Sequence, residues 1–499
     1  MNVIGRVMAG ITAFREAYVA SGRDSDAFET LPARQMRYLL FWSFYENTAY
    51  SNIHNWAVSY KTSQHLYKYI RPIYNPAYRI GEFHKGHIFG GSLNIEDPTR
   101  GAIPIQTENE QLLPAIGRLW TDTNMQVFKD IVALRGCIEG DVFLTVLDDP
   151  ARRKVAIARL DPSTVTGVTF DGVGNVKGYV IEETRQDPES PNRTVKYKMV
   201  CSRDGQDVVY QTFRNGAPYG WYGQPSSWAE PYGFVPMVHI KHNDVGLEFG
   251  WSEIYPDRPK IQELDEQASL LNDYLRKYHD PWWMISGKTM PSLTVDDGDP
   301  GGRGTDAAQS GGYEDQPGRN RIRTITGFSA ETKAQALVAN MNVGVTIQNM
   351  ENMQSELEKD FPELQTDIWA TGSTSGRALR VARERVGDKI VQRRANYDDG
   401  LVRIQQMAIA IGGEHGYQDY QGFSLESYDQ GALDHRIRER PVFSPDPMDQ
   451  GEIDLAEWRV IAAATGAGAT LEGVLKLRGW SEEDIALITG DGRVQNTEG

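Results

Sequence analysis

The sequence predicts an α+β fold, with several helices around an antiparallel β region. Apolar residues recur at spacings of three and four near the start and again in three long stretches beyond residue 258, which marks helices with one buried stripe. Between them, residues 141–215 break into short runs rich in Val, Ile, Thr, Tyr and Phe, separated by Asp-Gly, Gly-Asn and Asp-Pro steps, which marks strands joined by tight turns. At 499 residues the chain is also too long for one small core and is expected to divide into several domains.

In chain order, "LPARQMRYLLFWSFYEN" and "NEQLLPAIGRLWTDTNMQVFKDIVALRG" have helical spacing. The runs "DVFLTVLDD", "KVAIARLDP", "TVTGVTFDG", "NVKGYVIEET", "RTVKYKMV" and "DVVYQTFRNG" read as one meander of hairpins. The Pro, Gly and Trp of "APYGWYGQPSSWAEPYGFVP" mark residues 216–236 as a long irregular loop. Pro259 suits the first position of a helix. Ile261, Leu264, Ala268, Leu271, Leu275 and Tyr278 then make a stripe about 30 Å long, and Asp280-Pro281 ends it.

Residues 282–327 hold "WWMISGKTM", a Gly/Asp/Pro-rich stretch and a strand-like "RIRTIT". A second helix is expected from Ser329 to near Lys359, carrying Leu337, Met341, Ile347, Met350 and Leu357, until Phe361-Pro362 breaks it. A loop from Pro362 to Gly376 leads into a third, from Arg377 to near Ile411. Leu379, Ala382, Val386, Ile390, Tyr397, Leu401, Ile404, Ala408 and Ile411 keep its period over about 50 Å. The tail from Pro445 reads as short helices, the last capped by Ser481 with Asp484 three residues on. There is no internal repeat.

Hydrophobic residues at 40% and charged ones at 24% describe an ordinary globular protein. Cys137 and Cys201 are the only cysteines, too few for a disulfide framework or a four-Cys zinc site, so a reducing compartment is expected. The longest apolar run, "MRYLLFWSFY", is too short to span a bilayer, and the N-terminal stretch lacks the apolar core of a signal peptide. A soluble cytosolic chain without membrane contact is expected. With 52 basic against 68 acidic side chains, the net charge of −16 argues against tight coating of nucleic acid. It allows nucleic acid to slide past without being gripped.

The chemical motifs are thin. Gly372-Ser373-Thr374-Ser375-Gly376 puts Thr where a nucleophile elbow needs Ser, and it follows a helix where a phosphate-binding loop follows a strand. "GVGNVKG" lacks the dinucleotide spacing and reads as a hairpin turn. Acids in "LDDP" and "DDGD" read as solvated turns, and the aromatics of "WYGQPSSWAEPY" as packing under a loop. Two His pairs stand out, His84 with His87 and His239 with His242. Either could hold a metal if a carboxylate such as Asp244 joined, and a metal-dependent enzyme using His239, His242 and Asp244 is the alternative reading. No catalytic constellation emerges, so neither catalysis, cofactor nor metal is expected.

From Arg377 to Arg394 there are seven Lys or Arg against Glu384 and Asp388, a basic helix in an acidic chain. One account is a solvated face with intrahelical pairs, Glu384 and Asp388 among Arg380, Arg383 and Arg385. The other needs its context of two long helices around a Gly-rich insert, then a flexible loop feeding a third helix.

Several stretches together resemble the portal proteins, the head-to-tail connectors of tailed bacteriophages. "IRPIYNPAYRIGEFHKGHIFGG" and "ALRGCIEGDVFLTVLDDPARRKVAIARLDPSTVTGV" look like that family's wing, and "IYPDRPKIQELDEQASLLNDYLRKYHDPWWMISG" like its first stem helix with an Asp-Pro exit into the clip. "FPELQTDIWATGSTSGRALRVARERVGDKIVQRRANYDDGLVRI" looks like the tunnel loop and long helix, and "TLEGVLKLRGWSEEDIALI" is similar to the crown. The resemblance divides the chain into a wing (1–250), a stem helix (251–281), a small α/β clip (282–328), a second stem helix (329–360), a tunnel loop (361–376), a long wing-to-crown helix (377–411) and a helical crown with its connecting segment (412–499).

It implies a homo-oligomeric ring of about twelve copies at one capsid vertex of a virion, assembled in the host cytoplasm. Double-stranded DNA would be packaged and ejected through its channel without regard to sequence. The implied partners are the terminase large subunit, the major capsid or scaffolding protein and a head-completion adaptor. Thr371, Gly372, Ser373, Thr374, Ser375, Gly376, Arg377 and Arg380 would line the channel, where small polar groups make weak, sequence-blind contacts. Asp280, Pro281, Trp282 and Trp283 would form the junction of stem and clip, the Trp pair as an apolar anchor. The rest of the basic helix is expected to pair mainly with acids of neighbouring subunits. Another ring or scaffold component of a phage-like particle is a further alternative.

Overall fold

The computed structural model describes residues 33–279 apart from 55, 173, 188–189 and 221–224, then 282–286, 333–337, 342–365, 376–443, 447–478, 485 and 488. The fold class is α+β, as the sequence predicts. Helices α1 (Ala33–Tyr45), α2 (Ala57–Ser63) and α3 (Ala77–His87) come first, then the short strand β1 (Ile105–Gln106). The second helical stretch is two helices, α4 (Leu112–Thr123) and α5 (Met125–Glu139), because Asn124 between them adopts φ 55°, a left-handed conformation that stops one helix and starts the next. Gly140 at φ 90° ends α5 in the same way and turns the chain directly into a strand.

Strands β2 (Asp141–Asp149), β3 (Lys154–Leu160), β4 (Val165–Phe170), β5 (Val176–Asp187), β6 (Ser190–Asp204) and β7 (Asp207–Arg214) fall where the alternation places them. They do not form one meander. β2 and β3 form a hairpin whose free edge is taken by β10 (Met237–Lys241), with His239 opposite Phe143. A turn at Asp161, whose carboxylate accepts from the Ser163 amide at 2.9 Å, sends β4 into a second sheet in the order β4-β5-β6-β7. The predicted loop supplies β8 (Ala217–Pro218) and β9 (Ser227–Glu230), which both pair with β7. Trp228 stacks on Tyr210 at 5.0 Å between centroids, so these aromatics pack on the sheet.

Helix α6 (Arg258–His279) leads to β11 (Trp282–Ser286), which pairs antiparallel with β12 (Lys333–Leu337) ahead of helix α7 (Val343–Asp360). Here the sequence reading needs correction, since the helix expected from Ser329 starts at Val343. Lys333–Leu337 has good helix formers, but a ladder with Trp282–Ser286, distant in sequence, fixes it as strand. Asn342 then caps α7 by accepting from the Val345 amide. The Lys260 ammonium meets the Asp360 carboxylate, and the Asn349 amide donates to Gln267 at 2.8 Å, so α6 and α7 run antiparallel side by side. "RIRTIT" lies outside the described residues, as does Ser481.

A 3-10 turn (Pro362–Gln365) follows α7, and helix α8 (Gly376–Glu414) begins after residues 366–375. Then come α9 (Leu425–Asp429), β13 (Arg436–Ile437), α10 (Pro447–Gly466) and α11 (Leu471–Leu477). β13 pairs with β1, and Tyr417, Tyr420, Phe423 and Leu433 pack into the same core as the sheets. The segment after α8 is thus bound to the front of the chain.

Two large cores meet beside α8. The first holds both sheets, α4 and the buried face of α8, with Ile390, Tyr397, Leu401, Ile404, Ala408 and Ile411 on the predicted period. The second holds Leu40, Phe41, Phe44, Tyr60 and Ile80 against Ile261, Leu264 and Ala268 of α6 and Met350 and Leu357 of α7. A strap over residues 67–74 lies along α6, with Asp265 accepting the amides of Ile73 and Tyr74 at 2.8 Å each. The α6 stripe leaves the core toward its end, where Leu275 and Tyr278 are exposed. A small third cluster joins α10 and α11 through Ile461, Val474 and Leu475.

At the meeting of the two large cores, the Tyr397 hydroxyl presses on Gly136 of α5, where any added Cβ would overlap it. Gly136→Ala is expected to destabilise the fold by about 1–3 kcal/mol. Tyr397→Phe removes the clashing oxygen, so a denaturant-midpoint cycle of both changes should show the double variant less destabilised than the sum of the singles.

Candidate functional site

The sequence-predicted site residues fall into three groups. Thr371, Gly372, Ser373, Thr374 and Ser375 lie outside the described residues, as do Asp280 and Pro281. Gly376, Arg377 and Arg380 occupy the first two turns of α8. Trp282 and Trp283 belong to β11, opposite Leu337 and Ala336.

The proposed metal trio does not assemble. His239 Nε2 bonds Asp141 Oδ1 at 2.7 Å and its ring stacks on Phe143 at 4.5 Å, so it is a paired core histidine. Asp244 sits in an exposed turn and accepts from the Gly246 amide at 2.9 Å. His242, just past β10, turns the other way into the protein. Strand alternation and the chain's exit from the sheet separate the three. His87 likewise bonds its own helix, Nδ1 to the Phe83 carbonyl at 2.8 Å, and stacks on Phe83.

What the structure does assemble is one member of each His pair. His84 and His242, both fully buried, have ring centroids 5.2 Å apart. Around them lie the two carboxylates Glu253 and Glu363 and, from α8, Lys389, Arg393 and Tyr397. Their spacing of four puts the three α8 residues on one helix face. Lys389 Nζ reaches Glu253 Oε1 at 2.9 Å and Glu363 at 2.9 and 3.1 Å. Arg393 Nε donates to Glu253 Oε2 at 3.1 Å. His242 Nε2 lies 3.0 Å from the same oxygen, and its Nδ1 2.9 Å from the Tyr397 hydroxyl. One tautomer satisfies both: Nε2–H donates to the carboxylate while Nδ1 accepts from Tyr397. His84 Nε2 faces Glu363 at 3.4 Å, and its Nδ1 has no hydrogen-bond partner among the described residues.

The electrostatics follow from burial and pairing. Burial pushes the Glu253 carboxyl up, but the Lys389 charge and the His242 hydrogen bond outweigh it and hold it well below the usual range. Glu363 is lowered against burial by His84 and Lys389, and Lys389 is raised against burial by both carboxylates. Burial pulls His242 down from 6.5 to about 4 despite Glu253. Unfolding returns that ring to its ordinary value, so stability from its neutral state is full above about 6.5 and is lost as pH falls toward 4.

Among the described residues, two donor sets are close enough to share an ion, His84 with Cys137 and His242, and His84 with Glu253 and Glu363. The Lys389 ammonium already stands between the two carboxylates. The two carboxylates are already matched by the two cations Lys389 and Arg393, so a divalent ion would add uncompensated charge in a dry place. The cluster is a charge-balanced staple between segments far apart in sequence. Glu363 sits in the 3-10 turn that leads into residues 366–375, and Arg79 of α3 holds that turn through the Leu364 carbonyl at 2.8 Å. From Lys389, α8 runs back to Gly376 over about 20 Å.

The basic helix is partly explained here. Lys389 and Arg393 serve the cluster, and Arg394, 4% exposed, donates to the carbonyls of His87, Ile88 and Arg440 at 2.6–2.8 Å. These three cations are used within the chain, which corrects the expectation that they pair with neighbouring subunits. Their spacing was visible in the sequence, but Glu253 and Glu363 carry no local signal. Arg385 is exposed. Lys389→Met leaves two buried carboxylates short of a cation and is expected to cost about 3–5 kcal/mol by chemical denaturation, whereas Arg385→Ala should stay within about 0.5 kcal/mol.

No protein-family model matches the chain. No curated protein matches it. Among solved structures it is similar to a chain of the "Virion of native gene transfer agent (GTA) particle", at 11% identity and TM-score 0.35, with 81% of this chain and 89% of that chain covered. At that level the two traces diverge too far for the likeness to bear on function.

Proposed function

We propose that the chain is a structural component of a phage-like particle and, within it, the portal subunit. In this reading it forms the ring through which double-stranded DNA enters and leaves a capsid, without catalysis or cofactor. The observation that carries the reading is the helical pair α6 and α7, antiparallel and bridged beyond their ends by β11 and β12. That pair and its strand bridge support a stem with a clip at its end, although β12 lies within the stretch expected as second stem helix, and they are followed by α8, which at 39 residues spans about 58 Å.

Other features support it. Leu270 and Leu275 on α6 and Val345 and Ile347 on α7 are exposed, apolar surface suited to a neighbouring copy in a closed ring. A rigid helical pair can fix the constant turn from subunit to subunit that closure needs. The acidic balance suits a wall past which phosphates slide. No helix among the described residues is long and apolar enough to cross a membrane. Residues 371–376 with Arg377 and Arg380 would face the DNA. The terminase large subunit and the head-completion adaptor would dock at the clip, and the capsid or scaffolding protein at the wing.

Particle mass and negative-stain views test this, on protein purified alone and from particles made with its own capsid and scaffolding proteins. Twelve copies of 56.0 kDa give about 670 kDa and an annulus with a central hole. A chain that is monomeric in the first case and missing from the particles in the second overturns the reading. Arg377→Ala with Arg380→Ala is expected to leave ring formation intact and reduce the DNA packaged per particle. Normal packaging would remove these two residues from the DNA-contacting set.

A further inference from the structure

We propose that the buried cluster is an acid-sensitive latch, which holds the 3-10 turn Pro362–Gln365 against α3 and α8 while the His242 ring is neutral and frees it when that ring takes a proton. The argument is one of charge and geometry. Glu253 and Glu363 are matched by Lys389 and Arg393, and each carboxylate is already bonded to a cation at about 3 Å. A proton on His242 adds a positive charge that nothing in the cluster is free to neutralise.

Every element packed around that ring contributes to the balance. α3 presents His84, with His87 behind it, and α5 presents the Cys137 thiol. The segment after β10 presents Glu253, the 3-10 turn presents Glu363, and α8 presents Lys389, Arg393 and Tyr397. Charging His242 also replaces the acceptor at Nδ1 by a donor facing a hydroxyl that was donating to it, so one hydrogen bond must break or reverse. Glu363 is the member best able to leave. Its turn is only four residues long, whereas Lys389 and Arg393 lie within a long helix.

The two cysteines provide the test. Cys137 is buried on α5 beside His84 and His242, and Cys201 is buried in β6, opposite Tyr179 and Tyr210. A pyridyl disulfide, which reacts with thiols in acid as well as at neutral pH, is applied to the purified full chain between about pH 7.5 and 4.5. Labelling of Cys137 is expected to accelerate roughly tenfold or more as pH falls below about 6, while Cys201 stays protected. His242→Gln, which keeps a hydrogen-bonding side chain but takes no proton, should flatten the response. Arg393→Gln removes a neighbouring cation and should move the response to lower pH.

If Cys137 stays as protected as Cys201, or if both open together, there is no local latch. If His242→Gln folds and responds like the parent, His242 is not the trigger. Should that variant fail to fold, the direction of the Arg393→Gln shift decides, an unchanged or higher midpoint overturning the proposal. The latch is read in the single chain, so it stands or falls separately from ring formation.

Discussion

The structure depends on where it puts four charges. Glu253, Glu363, Lys389 and Arg393 lie between two hydrophobic cores that share no strand, and they are drawn from three segments distant in sequence. Burying ions is expensive, and an apolar cluster of equal volume would often be as stable. The ions are more selective than a greasy contact. Lys389 bonds both carboxylates at once, so the cluster constrains the rotation and height of α8 against the 3-10 turn. Tyr397, one turn beyond Arg393, carries the same constraint into the apolar core, where its hydroxyl bonds His242 and its ring lies on Gly136.

Helix α8 is the spine that makes this constraint reach far. Its first turns follow residues 366–375, its middle serves the cluster, and its second half packs on β2, β3 and β10. Arg394 and the Asp398–Arg440 pair tie the same stretch to the end of α3 and to residues 440–441. Movement at the turn therefore meets a rigid element within a few ångströms, and such an element can transmit a local change only as a whole body. For a ring subunit that stiffness is useful, because a small angular error repeated around a ring prevents closure.

The surface outside the cores has a different character. The chain carries a net charge of −16, while much of its clustered positive charge is spent on internal carboxylates and carbonyls. The outer surface is accordingly more acidic than the local sequence of α8 implies. Exposed apolar side chains on α6 and α7 stand apart from this polar surface and mark the faces of the helical pair that one chain leaves uncovered.

The sequence by itself determined the α+β class, the positions of β2 to β7, and the long helices, because periodicity and turn residues are local signals. Val386, Ile390, Tyr397, Leu401, Ile404, Ala408 and Ile411 are buried as their spacing requires. Only the tertiary structure decided that the hairpin β2–β3 pairs with β10 instead of β4, since strand partners are chosen by long-range packing that no turn residue encodes. It also decided that Lys333–Leu337 is strand, and that His242 joins His84 while His239 joins Asp141. The site belongs to this second kind: a charge on a helix is legible from its period, but the opposite charge that makes it internal lies over a hundred residues away in the case of Glu253 and is brought near only by folding.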